Sequence, residues 1–350
     1  MRLRFMFALG FAALVAFAFG GRPIAADGPY TKIAEIAIGG GGGFDYLTVD
    51  SAGHRLYVTH GTEVVVIDTT TNTIVGRITD TPGVHGVAIA PGDRGFTSNG
   101  RENKVSIVDL KTLQTTSKVD TEANPDAILY EPKNKEIYAL NHTGKSVTAI
   151  EAATGKVVAT IPLAGVAETG ASDPSLGRVF VNIEDKNSID VIDISTHKVV
   201  ANWPVAPAES PTGMAIDTAT HRLFVGGGPN MVMIDAKSGK VLANAPICRG
   251  TDATQFDAGA KMAFSSCSDG HITAVKVDGE KLIVVQTIET TRGARTMAID
   301  PATHRLYTAA QKYPAVDPNA PAPAPPAGGG RARGPAAIPE SFHVLVFATK

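Results

Sequence analysis

Along most of the chain, short apolar runs alternate with polar, turn-forming residues in one recurring order: a strand-like run, a tight turn, then a Leu-Tyr-Val-like run. The pattern occurs seven times, as LTVDSAGHRLYV, AIAPGDRGFT, ILYEPKNKEIYA, GASDPSLGRVFV, AIDTATHRLFV, TQFDAGAKMAFS and AIDPATHRLYT. Each copy carries an aromatic near its end: Tyr57, Phe96, Tyr138, Phe180, Phe224, Phe264 and Tyr307. Successive aromatics are 39, 42, 42, 44, 40 and 43 residues apart. A third run follows, as in EVVVID, KVSIVD, SVTAIE, SIDVID and MVMID, and then a fourth, as in KVVATIPL or KVVANWPV. Four short strands per unit of about 42 residues predict the blade of a β-propeller.

The seventh unit stops at its third strand, FHVLVFATK, and the segment TKIAEIAI at 31–38 resembles the missing fourth. An N-terminal strand that completes the last blade leaves no open edge in the ring. A solenoid would instead need atypical caps at both ends. The expected architecture is all-β: one seven-bladed β-propeller of four-stranded antiparallel blades over residues 27–350, closed by its N-terminal strand.

Before that strand, Arg2 and Arg4 precede an apolar stretch from Phe5 to Phe19, followed by Gly20, Gly21, Ala25 and Ala26. A basic start, an apolar middle and a small-residue exit make residues 1–26 a signal peptide, with cleavage after Ala26 or, alternatively, after Gly20. The stretch is shorter than the roughly 20 residues of a membrane-spanning helix. A periplasmic or secreted protein with no stable membrane insertion is expected. Removing Arg2, Arg4 and Arg22 takes the formal charge from -2 to about -5. That acidic balance argues against nucleic acid as a partner. With 43% hydrophobic and 19% charged residues the chain can bury a full core, so disorder does not describe it.

The residues also carry a family resemblance. LYVTH at 56–60 resembles the Tyr-Val-Thr-Asn element of YVTN-repeat propellers, and SVTAIEAATGKVVATIPLAG, SIDVIDISTHKVVANWPV and RGARTMAIDPATHRLY resemble the repeat of their exported YncE-like branch. The resemblance covers essentially the whole chain after the signal segment and implies the same fold. It implies binding roles more often than catalysis. DNA binding is ascribed to one member of the branch, and the acidic balance and single Trp203 argue against carrying it over.

Propeller topology places the start of every innermost strand around one mouth of the central channel. Counting back twelve positions from each repeat aromatic, eleven in the second unit, gives Asp45, His85, Asp126, Glu168, Thr212, Asp252 and Arg295. Four carboxylates, a histidine and an arginine around one axis make the candidate ligand-binding ring. Converging carboxylates raise one another's pKa or attract a cation. No cofactor is assigned; an oxygen-rich ring would suit Ca²⁺ or Mg²⁺, and His85 with Asp126 a transition metal. A water-filled rim with no ligand is the plainer reading of the same residues.

Other histidines divide by position. His54, His221 and His304 occupy one place in the repeated turn and are expected to serve the repeat. His60 and His142 fall on the candidate face, where with Asn99, Arg101 and Asn141 they could form an outer ring. Cys248 and Cys267 fall on that face in successive units, 19 positions apart, and are expected to pair in an oxidising compartment. The run GGGGG at 39–43 lacks the Gly-Lys-Ser/Thr ending of a phosphate loop and is read as a crossing from rim to axis. A Pro/Ala/Gly-rich insertion at 313–340 interrupts the last blade on the mouth face. It is either a tolerated insertion or a lid or partner tether, with Arg331 and Arg333 opposite the acidic rim.

Two functions fit these features. One is an exported binding protein, expected as a monomer, that takes a small molecule, peptide or protein at its acidic mouth. The other is a lactonase-like or metal-dependent hydrolase, with Asp126 or Glu168 as general base and His85 or Arg295 stabilising charge. The sequence contains no Gly-x-Ser-x-Gly elbow, no His-Glu-x-x-His and no Cys-x-x-Cys-His, which leaves serine-hydrolase, zinc-protease and covalent-haem readings without support.

Overall fold

A computed structural model of the chain describes residues 28–314 and 336–349. The expected signal segment and the centre of the Pro-rich insertion, with Arg331 and Arg333, lie outside the described residues. Seven four-stranded antiparallel sheets stand around one axis. Blade 1 runs from Phe44–Asp50 to Thr73–Ile78 in chain order, and blades 2 to 6 repeat that order up to Lys281–Glu289. Blade 7 takes Met297–Asp300, Arg305–Ala310 and His343–Thr349 from the C-terminal end, and its outer strand is Tyr30–Ala37. The N-terminal strand therefore closes the ring, pairing antiparallel from Tyr30 with Thr349 to Ala37 with His343, with one bulge between Lys32 and Ala34.

Burial explains why the four strands read differently in sequence. The second and third strands are covered on both faces by neighbouring blades, so they appear as unbroken apolar runs such as Arg55–His60 and Glu63–Asp68. The outermost strands alternate, as in Lys198–Pro204, because one face meets solvent. The seven repeat aromatics are all fully buried between blades.

The turn between first and second strands ends in the same way in all seven blades. The residue just before the second strand has a left-handed backbone, with φ between 50° and 65°, at His54, Asp93, Lys135, Gly177, His221, Lys261 and His304. Two of these histidines also reach the previous blade: His221 Nδ1 lies 2.7 Å from Asp173 Oδ2, and His304 Nδ1 lies 2.6 Å from Asp257 Oδ2. The turn histidines at 221 and 304 are blade-to-blade clamps. His54 shares the backbone conformation, while Ser51 is the residue bonded to the preceding blade's Asp300.

Candidate functional site

Six of the seven first strands enter the mouth through a bulge. The register slips between Phe44 and Leu47, Val84 and Gly86, Pro125 and Ile128, Ala167 and Gly170, Pro211 and Gly213, and Thr251 and Ala253. Asp45, His85, Asp126, Glu168, Thr212 and Asp252 sit inside those six slips, where the extra residue leaves the ladder and its side chain is re-aimed. Arg295 occupies the matching place just before Met297–Asp300. The second blade needs a count of eleven because its turn from Ala90 to Arg94 is one residue shorter than the turn from Asp217 to Arg222.

Hydroxyls of the preceding blade hold this ring by its backbone. Thr296 Oγ1 donates to the Asp45 carbonyl at 2.8 Å, and Thr212 Oγ1 donates to the Thr251 carbonyl at 2.7 Å. Ser98 donates to the Asp126 carbonyl, Thr169 to that of Thr212 and Ser266 to that of Arg295. Thr212 is thus committed to an inter-blade tie, while the charged members keep their side chains for one another.

With His142, those side chains form four contacts. His85 Nδ1 lies 2.7 Å from Asp45 Oδ2 and 3.4 Å from Asp126 Oδ1. His142 Nε2 lies 3.2 Å from Glu168 Oε1. Arg295 Nε lies 2.9 Å from Asp252 Oδ2. Tyr46, the second residue in the first bulge, donates its hydroxyl across the channel to Glu168 Oε2 at 3.5 Å and packs against blades 3 and 4. Asp126 is only 8% exposed, and its Oδ1 has no hydrogen-bond partner.

The electrostatics follow from burial and crowding. Burial, followed by the charge of Asp45, pushes the Asp126 carboxyl up to about 7. Burial likewise takes Asp252 up to about 7, although Arg295 pulls it down. Burial opposes the charged form of His85, but the bond to Asp45 and the field of Asp126 outweigh it and raise its pKa. His142 is raised by Glu168 against the cost of burial. Burial and Glu168 together raise Glu184. The Tyr46 hydroxyl is pushed well up by burial and by Asp126, Asp45, Glu168 and Asp252.

The mouth therefore differs in membership from the ring read in sequence. Of the suggested outer ring only His142 joins it. Asn99 and Asn141 bond inside their own hairpins, to Glu102 and Ser106 and to Ser146 and Thr148. His60 stacks on Phe342 with ring centres 4.1 Å apart, under the glycine crossing, where a side-chain carbon on Gly40 would stand 3.1 Å from the imidazole. Tyr46 and Glu184 were not singled out in the sequence. Glu184 could have been found by alignment: its amide bonds Val166 as the amide of His142 bonds Asn124, so the two are equivalent positions in successive blades.

Away from the ring, the structure joins Cys248 to Cys267 in a disulfide with Cα atoms 5.8 Å apart. The cysteines belong to the fifth-to-sixth connection and to the end of the second strand of blade 6.

A family model described as outer membrane protein assembly factor BamB matches residues 101–312, more than half the chain. Two curated relatives, each named uncharacterized protein YncE, come from Salmonella typhi and Salmonella typhimurium. They are 27% identical over 97 residues and 30% identical over 98. Each alignment covers 27% of this chain and 28% of the relative, so the match spans little more than a quarter of the relatives' length. Among solved structures, hydrazine synthase of Kuenenia stuttgartiensis superposes with a TM-score of 0.69 at 16% identity, covering 83% of this chain and 95% of that one. A chain of the mitotic checkpoint complex gives 0.71 at 12% identity, covering 86% and 95%. At such identities the likeness is one of fold alone.

Proposed function

The chain belongs to the YncE- and BamB-like family of β-propellers, and we propose that it is an exported, monomeric binding protein whose channel mouth takes the positively charged group of a small molecule or peptide. The observation that carries this reading is the imbalance of the mouth. Among the described residues, Asp45, Asp126, Glu168, Glu184 and Asp252 face one guanidinium, that of Arg295, and two histidines. Carboxyls that burial, and then their neighbours' charge, push up to about 7 at Asp126 and Asp252 gain stabilisation in their ionised form from a cation that enters among them. Export is supported by the basic-apolar-small order of residues 1–26 and by the BamB description of the family model.

The test is thermal unfolding of the mature chain, treated with chelator, against cationic, neutral and anionic small molecules and peptides. Only cationic compounds should raise the midpoint, and Glu168→Gln with Glu184→Gln should abolish the rise. Stabilisation by anions alone would overturn the reading.

A hydrolase is the second reading, favoured by one observation: His85 bonds Asp45 beside an Asp126 that is half-protonated near neutral pH, so base and acid stand within one cluster. Lactone turnover lost in His85→Ala would support it, and inactivity across a lactone series would remove it.

A further inference from the structure

Asp126 is the one ring member shared by two clusters of metal-ligating atoms. Asp45, His85 and Asp126 each present an atom within 4.8 Å of the others, and so do Asp126, His142 and Glu168. Blades 1, 2 and 3 supply Asp45, His85 and Asp126 of the first cluster, and blades 3 and 4 supply the second. The carboxylate between the clusters is buried, and its Oδ1 accepts no hydrogen bond and has only the 3.4 Å approach of His85 Nδ1. A buried carboxylate oxygen without a donor is costly unless something positive meets it.

We propose that the channel mouth binds a pair of divalent first-row transition-metal ions, bridged by Asp126, with Asp45 and His85 completing one site and His142 and Glu168 the other. The inference rests on the reading that the mouth favours positive charge, and it goes beyond that reading by placing metal ions among the same carboxylates. Ligand chemistry selects the class: each site offers one imidazole and two carboxylates, and imidazole favours Zn²⁺ and its neighbours over Ca²⁺ or Mg²⁺. Spacing agrees. Tetrahedral zinc with bonds near 2.0–2.2 Å holds neighbouring donors about 3.3 Å apart. His85 Nδ1 and Asp126 Oδ1 are 3.4 Å apart, and His142 Nε2 and Glu168 Oε1 are 3.2 Å apart. The 2.7 Å pair of His85 and Asp45 must open by about half an ångström to admit an ion, and the remaining donor pairs of each cluster lie within 4.8 Å. Each site has three protein donors, which leaves a coordination position for water or for a donor atom of a bound molecule.

Titration calorimetry of the chelator-treated mature chain with Zn²⁺ tests this, with Co²⁺ absorption in the visible as a second readout of tetrahedral ligation. Two ions should bind per chain, and excess Mg²⁺ or Ca²⁺ should not displace them. Asp126→Asn should weaken both sites by at least about a hundredfold. His85→Ala and His142→Ala should each remove one, and His271→Ala, at the start of the third strand of blade 6, should remove none. Zn²⁺ binding by Asp126→Asn equal to that of the unaltered chain, or a single ion insensitive to both histidine variants, would overturn the proposal. If Asp126→Asn fails to give the native circular dichroism spectrum, the two histidine variants decide the matter alone. Loss of Zn²⁺ binding with organic cations still bound would sink the metal pair and leave the cation-binding mouth standing; absence of both would sink the two together.

Discussion

His221 Nδ1 in the fifth blade lies 2.7 Å from Asp173 Oδ2 in the fourth, and that carboxylate is fully buried. Its other oxygen accepts from the Ser175 amide and hydroxyl and from the Leu176 amide. One side chain thus shapes its own turn and clamps the next blade. Burial works to raise the Asp173 pKa, but the bonds to His221 and Ser175 outweigh it and hold the carboxyl below its ordinary value.

Asp173→Ala should therefore cost roughly 2–3 kcal/mol, since it removes a buried acceptor of four bonds, one of them from the next blade. The sign of its pH dependence follows from the lowered pKa. The contribution is fully present above the ordinary carboxylate range and is lost as pH falls through the folded value. Urea unfolding at pH 7 and at pH 3 should show the gap between the unaltered chain and the variant closing at the acid end.

The closing strand is held by more than its own ladder. The Tyr30 amide donates to Gln286 Oε1 at 3.0 Å, and Gln286 Nε2 returns a bond to the Tyr30 carbonyl at 2.8 Å. The Tyr30 ring meets Phe264 edge-on, with centres 5.2 Å apart. This ties the N-terminal strand of blade 7 to blade 6. Gln286→Ala should cost about 1–3 kcal/mol and Tyr30→Ala about 3–5 kcal/mol. Denaturant midpoints check both, and gel filtration should show association if the strand detaches and bares the edge at His343–Thr349.

The fold was legible because each blade repeats the same physical demands: an aromatic buried between sheets, a left-handed turn residue, and two middle strands with no solvent face. The closing strand was legible because its apolar pattern matched a fourth strand and the last unit lacked one. The mouth was legible only in part. Counting from the aromatics finds the ring because a bulge of fixed place aims one side chain per blade at the axis. Counting cannot find Tyr46, whose neighbour Asp45 already filled the blade's place and whose hydroxyl crosses the channel to Glu168. Nor can it separate His142, which meets Glu168, from His60, which stacks on Phe342, although both follow or end a second strand. Pairings across the axis depend on which blades face each other, and repeat spacing along the chain carries no such information.

The disulfide closes a loop of 19 residues between adjoining blades. In the chain-entropy account, such a link limits the unfolded chain and contributes about 3 kcal/mol. Replacing both cysteines with serine should lower unfolding stability by that amount, and reductant should lower the unaltered chain to the same level while leaving the double variant unchanged. A double variant as stable as the oxidised chain would show that the link adds nothing.

Asp252 should give a pH dependence opposite in sign to that of Asp173. Burial raises its carboxyl to about 7, Arg295 offsets part of the rise, and Asp45 and Glu168 add to it. Between the ordinary carboxylate range and pH 7 the folded chain holds a proton at Asp252 that the unfolded chain has released. Stability from this group is therefore greatest in acid and falls as pH rises toward 7, then levels off once both states are ionised. Asp252→Asn cannot titrate, so its stability should fall less between pH 5 and pH 7.5 than that of the unaltered chain. Arg295 keeps an acceptor in the asparagine carbonyl, which limits the loss of the 2.9 Å contact itself. Chemical unfolding of both proteins at the two pH values, in chelator to keep cations from the mouth, measures the difference. Equal falls in the two would mean that Asp252 is already ionised in the folded chain at pH 5 and that Arg295, rather than burial, governs it.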